Sequence, residues 1–216
     1  MILIPSISAA KNKTNLGYPK QLIDRLIMSG FNHFHLDLTD GTITYENDLS
    51  LISLDYEAKY ITFDYHIMSA NPLAIIEQIK PRKNTYVHVH YKYLNDIQKY
   101  IDLLSYKDLY VGITFELDDD FSKIANHIDQ IDLINFMSVS ELGKTNLVFD
   151  ERVFEKIKDF KKYYPTYSGK LMVDGSVRKI HLRKLSELID FCVVGSIVLQ
   201  NDDFKNNLKN LRKEFS

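Results

Sequence analysis

The stretch FHLDLTDG, residues 34–41, sets a histidine and two carboxylates inside what otherwise reads as a buried strand. Burying an ionisable side chain costs several kcal/mol unless a partner, a hydrogen bond or a metal compensates it. Alternate residues of a strand share a face, so His35 and Asp37 point the same way. The rest of the chain has to supply what they face.

Working outward, short β-branched and aromatic runs recur with amphipathic stretches between them, the pattern of βαβ units and a parallel sheet. The predicted strands are ILIPSI (2–7), FHLDLT (34–39), ITFDYHIM (61–68), YVHVHY (86–91), LYVGITF (109–115), LINFMSV (133–139), KLMVD (170–174) and FCVVGS (191–196). Helices are expected over PKQLIDRLIMSG, from Pro19 to a stop at Gly30, and over NPLAIIEQI, with Asn71 as cap and Pro72 as first residue. Others are expected over LNDIQKYIDLL, DDDFSKIANHI, DERVFEKIKDFKKYY, VRKIHLRKLSEL and a charged stretch from Asp202. The segment after the second strand carries the weakest helical pattern.

Eight strands alternating with helices over 216 residues suit an α/β fold of the closed (β/α)8 TIM-barrel kind, a single domain over residues 1–216. An open doubly wound sheet is the rival. It loses ground because PSISAAKNKTN, after the first strand, holds no glycine-rich fingerprint.

Composition bounds the partners. With 45% hydrophobic and 26% charged residues and a formal net charge of −2, the chain gives no electrostatic reason to expect nucleic acid or an anionic membrane. No run approaches the ~18–20 apolar residues that span a bilayer, and MILIPSISAAKNK fails as a signal peptide. The single cysteine, Cys192, fits a reducing compartment and matches no redox or zinc spacing. A cytoplasmic protein with a small-molecule partner is expected.

In a barrel, His35 and Asp37 sit near the carboxyl end of their strand, where active sites assemble. His66 occupies the same level near the end of the third strand, and Asp174 is the last residue of the seventh. Two imidazoles and two carboxylates form a mixed nitrogen and oxygen set suited to Zn²⁺, with Fe²⁺, Mn²⁺ or Co²⁺ as other candidates. Spacing alone leaves a second reading, a hydrogen-bonded network without an ion.

The chain resembles the ribulose-phosphate 3-epimerase family nearly end to end. IPSISA is similar to that family's first-strand Pro-Ser-Ile, HLDLTDG to its His-x-Asp-x-Met-Asp-Gly, and DYHIMSANP to its Asp-x-His-Leu-Met-x-x-Asn-Pro. FMSV resembles its Met-Ser-Val, VDGSV its Val-Asp-Gly-Gly-Val, and VVGSIV its Gly-Ser-Ala-Ile. The resemblance implies that His35, Asp37, His66 and Asp174 are metal ligands and that Asp37 and Asp174 are also the acid/base pair. It implies an enzyme that interconverts D-ribulose 5-phosphate and D-xylulose 5-phosphate by inverting carbon 3, a small phosphorylated ketose as partner, and a homo-oligomer.

By the same resemblance Ser6 hydrogen-bonds substrate or the catalytic group beside it, and Met68 and Met137 cap the metal. The family's third methionine is Thr39 here. Phosphate would be held by turns after the last three strands, where Gly175, Ser176, Gly195 and Ser196 match. The first of these turns departs from the pattern: SELGKTN, residues 140–146, keeps Gly143 and gains Lys144, which is expected to bring charge toward the phosphate. That change keeps open another ketose phosphate, such as D-allulose 6-phosphate. A non-catalytic sugar-phosphate-binding barrel is the reading from a different class, and it leaves an opposed proton-transfer pair unexplained. The hexulose-phosphate synthase group carries Asp-x-Lys-x-x-Asp, whose lysine HLDLTDG lacks. His88 and His90 share a face and are expected to pack in the core or against a ligand, with His33 lower in the barrel. ELDDDF reads as a helix amino terminus.

Overall fold

The computed structural model describes residues 1–11, 18–54, 56, 60–143 and 147–215. Its strands are β1 (Ile2–Pro5), β2 (His33–Asp40), β3 (Asn47–Asp48), β4 (Thr62–Met68), β5 (Thr85–His90), β6 (Tyr110–Phe115), β7 (Leu133–Met137), β8 (Lys170–Asp174) and β9 (Phe191–Val194). All except β3 run parallel, in the order β1-β9-β8-β7-β6-β5-β4-β2. The ring closes where Ser6 bridges His35 and the Ile7 N–H donates to the His35 carbonyl at 2.9 Å. This is the (β/α)8 barrel that the alternation predicts.

The helices are α1 (Lys20–Met28), α2 (Pro72–Ile76), α3 (Ile97–Tyr106), α4 (Arg152–Tyr163), α5 (Lys179–Ser186) and α6 (Phe204–Arg212). Helix α1 stops at Gly30, φ +97°, where the Gly30 N–H donates to the Ile27 carbonyl and the Phe31 N–H to the Leu26 carbonyl, a Schellman ending. Three helix expectations change. Asn71 precedes α2 as expected, but its side chain makes no capping bond. The hydroxyl of Ser69 accepts from the Asn71 N–H instead. Residues Phe121–Gln130 wind as a 3-10 helix that buries only Ile124, so packing offers little to hold a longer α ladder there. Asp120 does cap it, accepting from the Ser122 N–H. After β2 the chain forms β3, antiparallel to the end of β2, and a 3-10 turn at Ser50–Ser53.

Strand alternation sorts the side chains into two populations. Phe34, Leu36, Leu38, Phe63, Tyr65 and Ile67 face outward into the core shared with the helices, each contributing about 1.5–3 kcal/mol when fully buried. Inward apolar positions gather at the floor, where Ile4, Leu133, Met172, Phe191 and Val193 pack with Tyr86. Above that floor the barrel interior is polar apart from Met68 and Met137 at the carboxyl ends of β4 and β7. Gly112 makes room for it, since a Cβ there would stand 2.6 Å from the Cβ of His88.

Candidate metal centre

Strands β2, β4 and β8 bring His35, Asp37, His66 and Asp174 together at the carboxyl end of the barrel. One atom from each lies within 4.8 Å of all the others. His35 Nε2 is 3.0 Å from Asp37 Oδ1 and 3.5 Å from Asp174 Oδ2. His66 Nδ1 is 3.5 Å and 3.4 Å from the same two oxygens. The histidines are buried, whereas Asp37 and Asp174 remain 23% and 15% exposed, so the carboxylates are the members that a small molecule reaches.

The donor chemistry fits a divalent cation. His66 Nδ1 is buried, forms no hydrogen bond and is aimed at both carboxylates, so a buried polar atom is left without a partner. Two nitrogens and two oxygens converging at this spacing can hold such an ion.

Asp37 is fixed from behind. The Ser6 hydroxyl donates to its Oδ2 at 3.0 Å, and its N–H donates to Ser8 Oγ at 3.3 Å. Burial opposes its ionisation, but His35 and His66 outweigh burial and hold its pKa well below the usual carboxylate value. His35 is the reciprocal case: burial disfavours its charge, while Asp64, Asp37 and Asp174 raise its pKa well above the ordinary imidazole value.

Asp64 was missed as a functional residue in the sequence. Fully buried, it pairs closely with His35 Nδ1 through Oδ1, lies 3.3 Å from His88 Nε2, and places Oδ2 2.9 Å from His33 Nε2. His88 completes its own bonding through Nδ1 and Thr114 Oγ1 at 2.8 Å. Burial first, then the neighbouring His66 and His35, lower the His88 pKa to about 3, which keeps it neutral. A period-two count from His66 puts Asp64 on the same inward face, and that was the available signal. His33 sits lower, as expected, against Tyr86 and Phe191.

On the other side, His66 Nε2 lies 2.9 Å from His90 Nε2, and His90 Nδ1 lies 3.0 Å from Glu116 Oε1. Lys92 holds Glu116 at 2.7 Å. Burial opposes ionisation of Glu116, but His90 and Lys92 lower its pKa to about 2.

The remaining expected residues fall in place around this centre. Met68 and Met137 are buried at the ends of β4 and β7. Thr39 turns its hydroxyl to its own loop, pairing with Thr44 and donating to the Glu46 carbonyl at 3.1 Å. Asp40, the second carboxylate of the opening stretch, accepts from Ser69 Oγ at 2.5 Å and Thr42 Oγ1 at 2.6 Å, which ties two loops together.

Gly175 and Ser176 follow β8 with φ of +117° and +48°, and a Cβ at Gly175 would stand 2.9 Å from Val139. Only glycine meets both demands at 175 without strain. Gly195 and Ser196 follow the neighbouring β9, with Ala9 against Gly195. Gly143 lies close against Thr44, so the segment after β7 meets the loop after β2. Lys144 lies outside the described residues.

A family model described as the ribulose-phosphate 3 epimerase family matches residues 2–199. The curated protein named ribulose-phosphate 3-epimerase from Encephalitozoon cuniculi (strain GB-M1) is 26% identical over 208 residues, covering 93% of this chain and 91% of its own. Among solved structures, a tryptophan synthase α-subunit from Pyrococcus furiosus aligns with a TM-score of 0.63 and 12% identity, over 98% of this chain and 96% of that one. A 3-hexulose-6-phosphate synthase aligns with a TM-score of 0.58 and 14% identity over 100% of both chains. These two likenesses are of fold. Among the described residues no helix is long and apolar enough to cross a membrane.

Proposed function

The chain belongs to the ribulose-phosphate 3-epimerase family, and from that membership we propose that it interconverts D-ribulose 5-phosphate and D-xylulose 5-phosphate. In this reading Asp37 and Asp174 are the proton-transfer pair, and His35, Asp37, His66 and Asp174 hold one divalent ion, Zn²⁺ before Fe²⁺, Mn²⁺ or Co²⁺. Membership itself makes the protein an isomerase of the epimerase kind acting on a phosphorylated ketose. The observation that supports the rest is the convergence of four ligand atoms within 4.8 Å.

One aspartate takes the proton from carbon 3 on one face of the sugar, and the other returns a proton on the opposite face. When bound, the ion supplies several kcal/mol of stabilisation to the negative charge that develops on the substrate oxygens. Ser6 keeps Asp37 turned toward the reacting carbon, and its contact with Oδ2 supports that role. Met68 and Met137 exclude water above the ion. Phosphate is bound by N–H groups of the turns at Gly175–Ser176 and Gly195–Ser196.

A second reading, the same chemistry on another ketose phosphate such as D-allulose 6-phosphate, rests on SELGKTN at 140–146, in which Gly143 packs against Thr44. The two are separated by following deuterium uptake from solvent at carbon 3 of each sugar phosphate. Exchange into ribulose 5-phosphate is expected, with Asp37→Asn and Asp174→Asn each losing about 10²–10⁴ in kcat while remaining folded. Near-normal turnover in either variant removes that aspartate from the proposed pair. Exchange confined to the ketohexose phosphate reassigns the substrate.

A further inference from the structure

The side chains behind His66 form a line from the buried centre to the surface. We propose that His90, Glu116 and Lys92 are positioning residues that fix the tautomer of His66, so that its Nδ1 presents a lone pair toward Asp37 and Asp174. This rests on the ion reading given above.

The reasoning starts from two imidazole nitrogens 2.9 Å apart. His66 Nε2 faces His90 Nε2, both rings are buried, and they stack with centroids 5.0 Å apart at 24°. For this contact to be a hydrogen bond between neutral rings, one nitrogen must carry a proton and the other a lone pair. The choice is made one ring further out. His90 Nδ1 lies 3.0 Å from Glu116 Oε1, a carboxylate that Lys92 holds at 2.7 Å, and a carboxylate can only accept. The two atoms are not aligned as a hydrogen bond, but a negative carboxylate 3.0 Å away favours an N–H over a lone pair at Nδ1, so His90 carries its proton there and a lone pair on Nε2. His66 then donates from Nε2, which leaves Nδ1 bare, and Nδ1 is the atom that faces Asp37 Oδ1 and Asp174 Oδ2.

The opposite assignment fails at the Glu116 end. A proton on His66 Nδ1 would leave its Nε2 as an acceptor, so His90 would donate from Nε2 and turn an Nδ1 lone pair onto Glu116. His88 cannot set the tautomer in place of His90. It stacks on His66 at 4.6 Å, but its two nitrogens are directed at Asp64 and Thr114. Neither His90 nor Glu116 belongs to the four-residue cluster itself. Groups behind a ligand in this manner change metal affinity by about 10–100-fold when removed.

The test uses Co²⁺ as the probe, titrated against a competing chelator, in the full chain and in Glu116→Ala and His90→Leu. Each variant is expected to bind Co²⁺ about 10–100-fold more weakly, while Glu116→Ala, which alters a partly exposed side chain, keeps a metal-free melting temperature close to that of the parent. In the Zn²⁺-loaded parent, nitrogen-15 shifts should show His90 protonated at Nδ1 and bare at Nε2, a preference lost in Glu116→Ala. Parent-like Co²⁺ affinity in both variants, or a parent His90 protonated at Nε2, overturns the positioning chain alone. A parent protein that takes up no Co²⁺ overturns the ion reading and this chain with it.

Discussion

His35 and His66 enter the centre as the same kind of donor from neighbouring strands, yet they are backed in opposite ways. Behind His35 stands Asp64, a fully buried carboxylate shared with His33 and His88 and with no route to solvent. Behind His66 stand a second imidazole and then Glu116 and Lys92, whose side chains are 21% and 39% exposed. A buried carboxylate surrounded by imidazoles is a structural commitment, because removing it strands the groups that it satisfies. A partly exposed carboxylate can be removed at little cost to the fold. The two histidines should therefore separate into one whose support is a matter of stability and one whose support is not.

The largest effect that would break this contrast is at Asp64. Asp64→Asn is expected to lower the unfolding free energy by about 3–5 kcal/mol, read from urea denaturation, because buried His35 loses its counter-charge and His88 an acceptor. A loss under about 1 kcal/mol would place Asp64 with Glu116 rather than opposite it.

The next effect is in pH. His35 has a pKa raised well above 6.5, so its stabilising contribution is complete below 6.5 and is lost as pH rises through the raised value. Asp64, held well below 3.8 against the opposing effect of burial, contributes above 3.8 and loses its share as pH falls through the lowered value. The metal-free protein should thus lose stability as pH climbs above 6.5 through the raised His35 value, read from urea midpoints in the presence of a chelator. Metal uptake should strengthen over the same range, because imidazole ligands must shed their protons. A metal-free stability that rises with pH would contradict the His35–Asp64 pairing.

Smaller still is Ser6→Ala, which leaves Asp37 Oδ2 without its donor. A drop in kcat of about tenfold, equivalent to ~1.4 kcal/mol, is expected with KM little changed. The smallest is Lys92→Ala at the exposed end, expected to cost under about 1 kcal/mol of stability because surface ion pairs are weak. A loss as large as that of Asp64→Asn would show that the two sides are built alike.

The barrel and the four converging residues were legible because strand alternation is a strict period of two and because active sites of barrels gather at strand ends. His35, Asp37 and His66 could be placed by counting along two strands, and Asp174 by its place at the end of a third. The groups behind the ligands were less legible. Asp64 sits two residues before His66 and could have been counted inward, but Glu116 lies just beyond β6, where no strand period applies, and only register between strands brings it to His90. Asn71 looked like a cap by residue type, and the bond went to Ser69 because its hydroxyl was already fixed by Asp40. The 3-10 winding of Phe121–Gln130 has no signature in hydrophobic spacing, which reports a buried stripe and not the pitch of the turns.

Among the described residues the ring is joined between β1 and β2 by a single bridge, Ser6 to His35. Ser6 also carries the hydroxyl that grips Asp37, so the weakest seam of the cylinder and its most exacting contact are one and the same. Should heat part the staves there first, Asp37 swings loose while the other seven joints still hold. Activity would then fade ahead of the circular-dichroism melt, and the gap between the two curves would measure how far the opening precedes collapse.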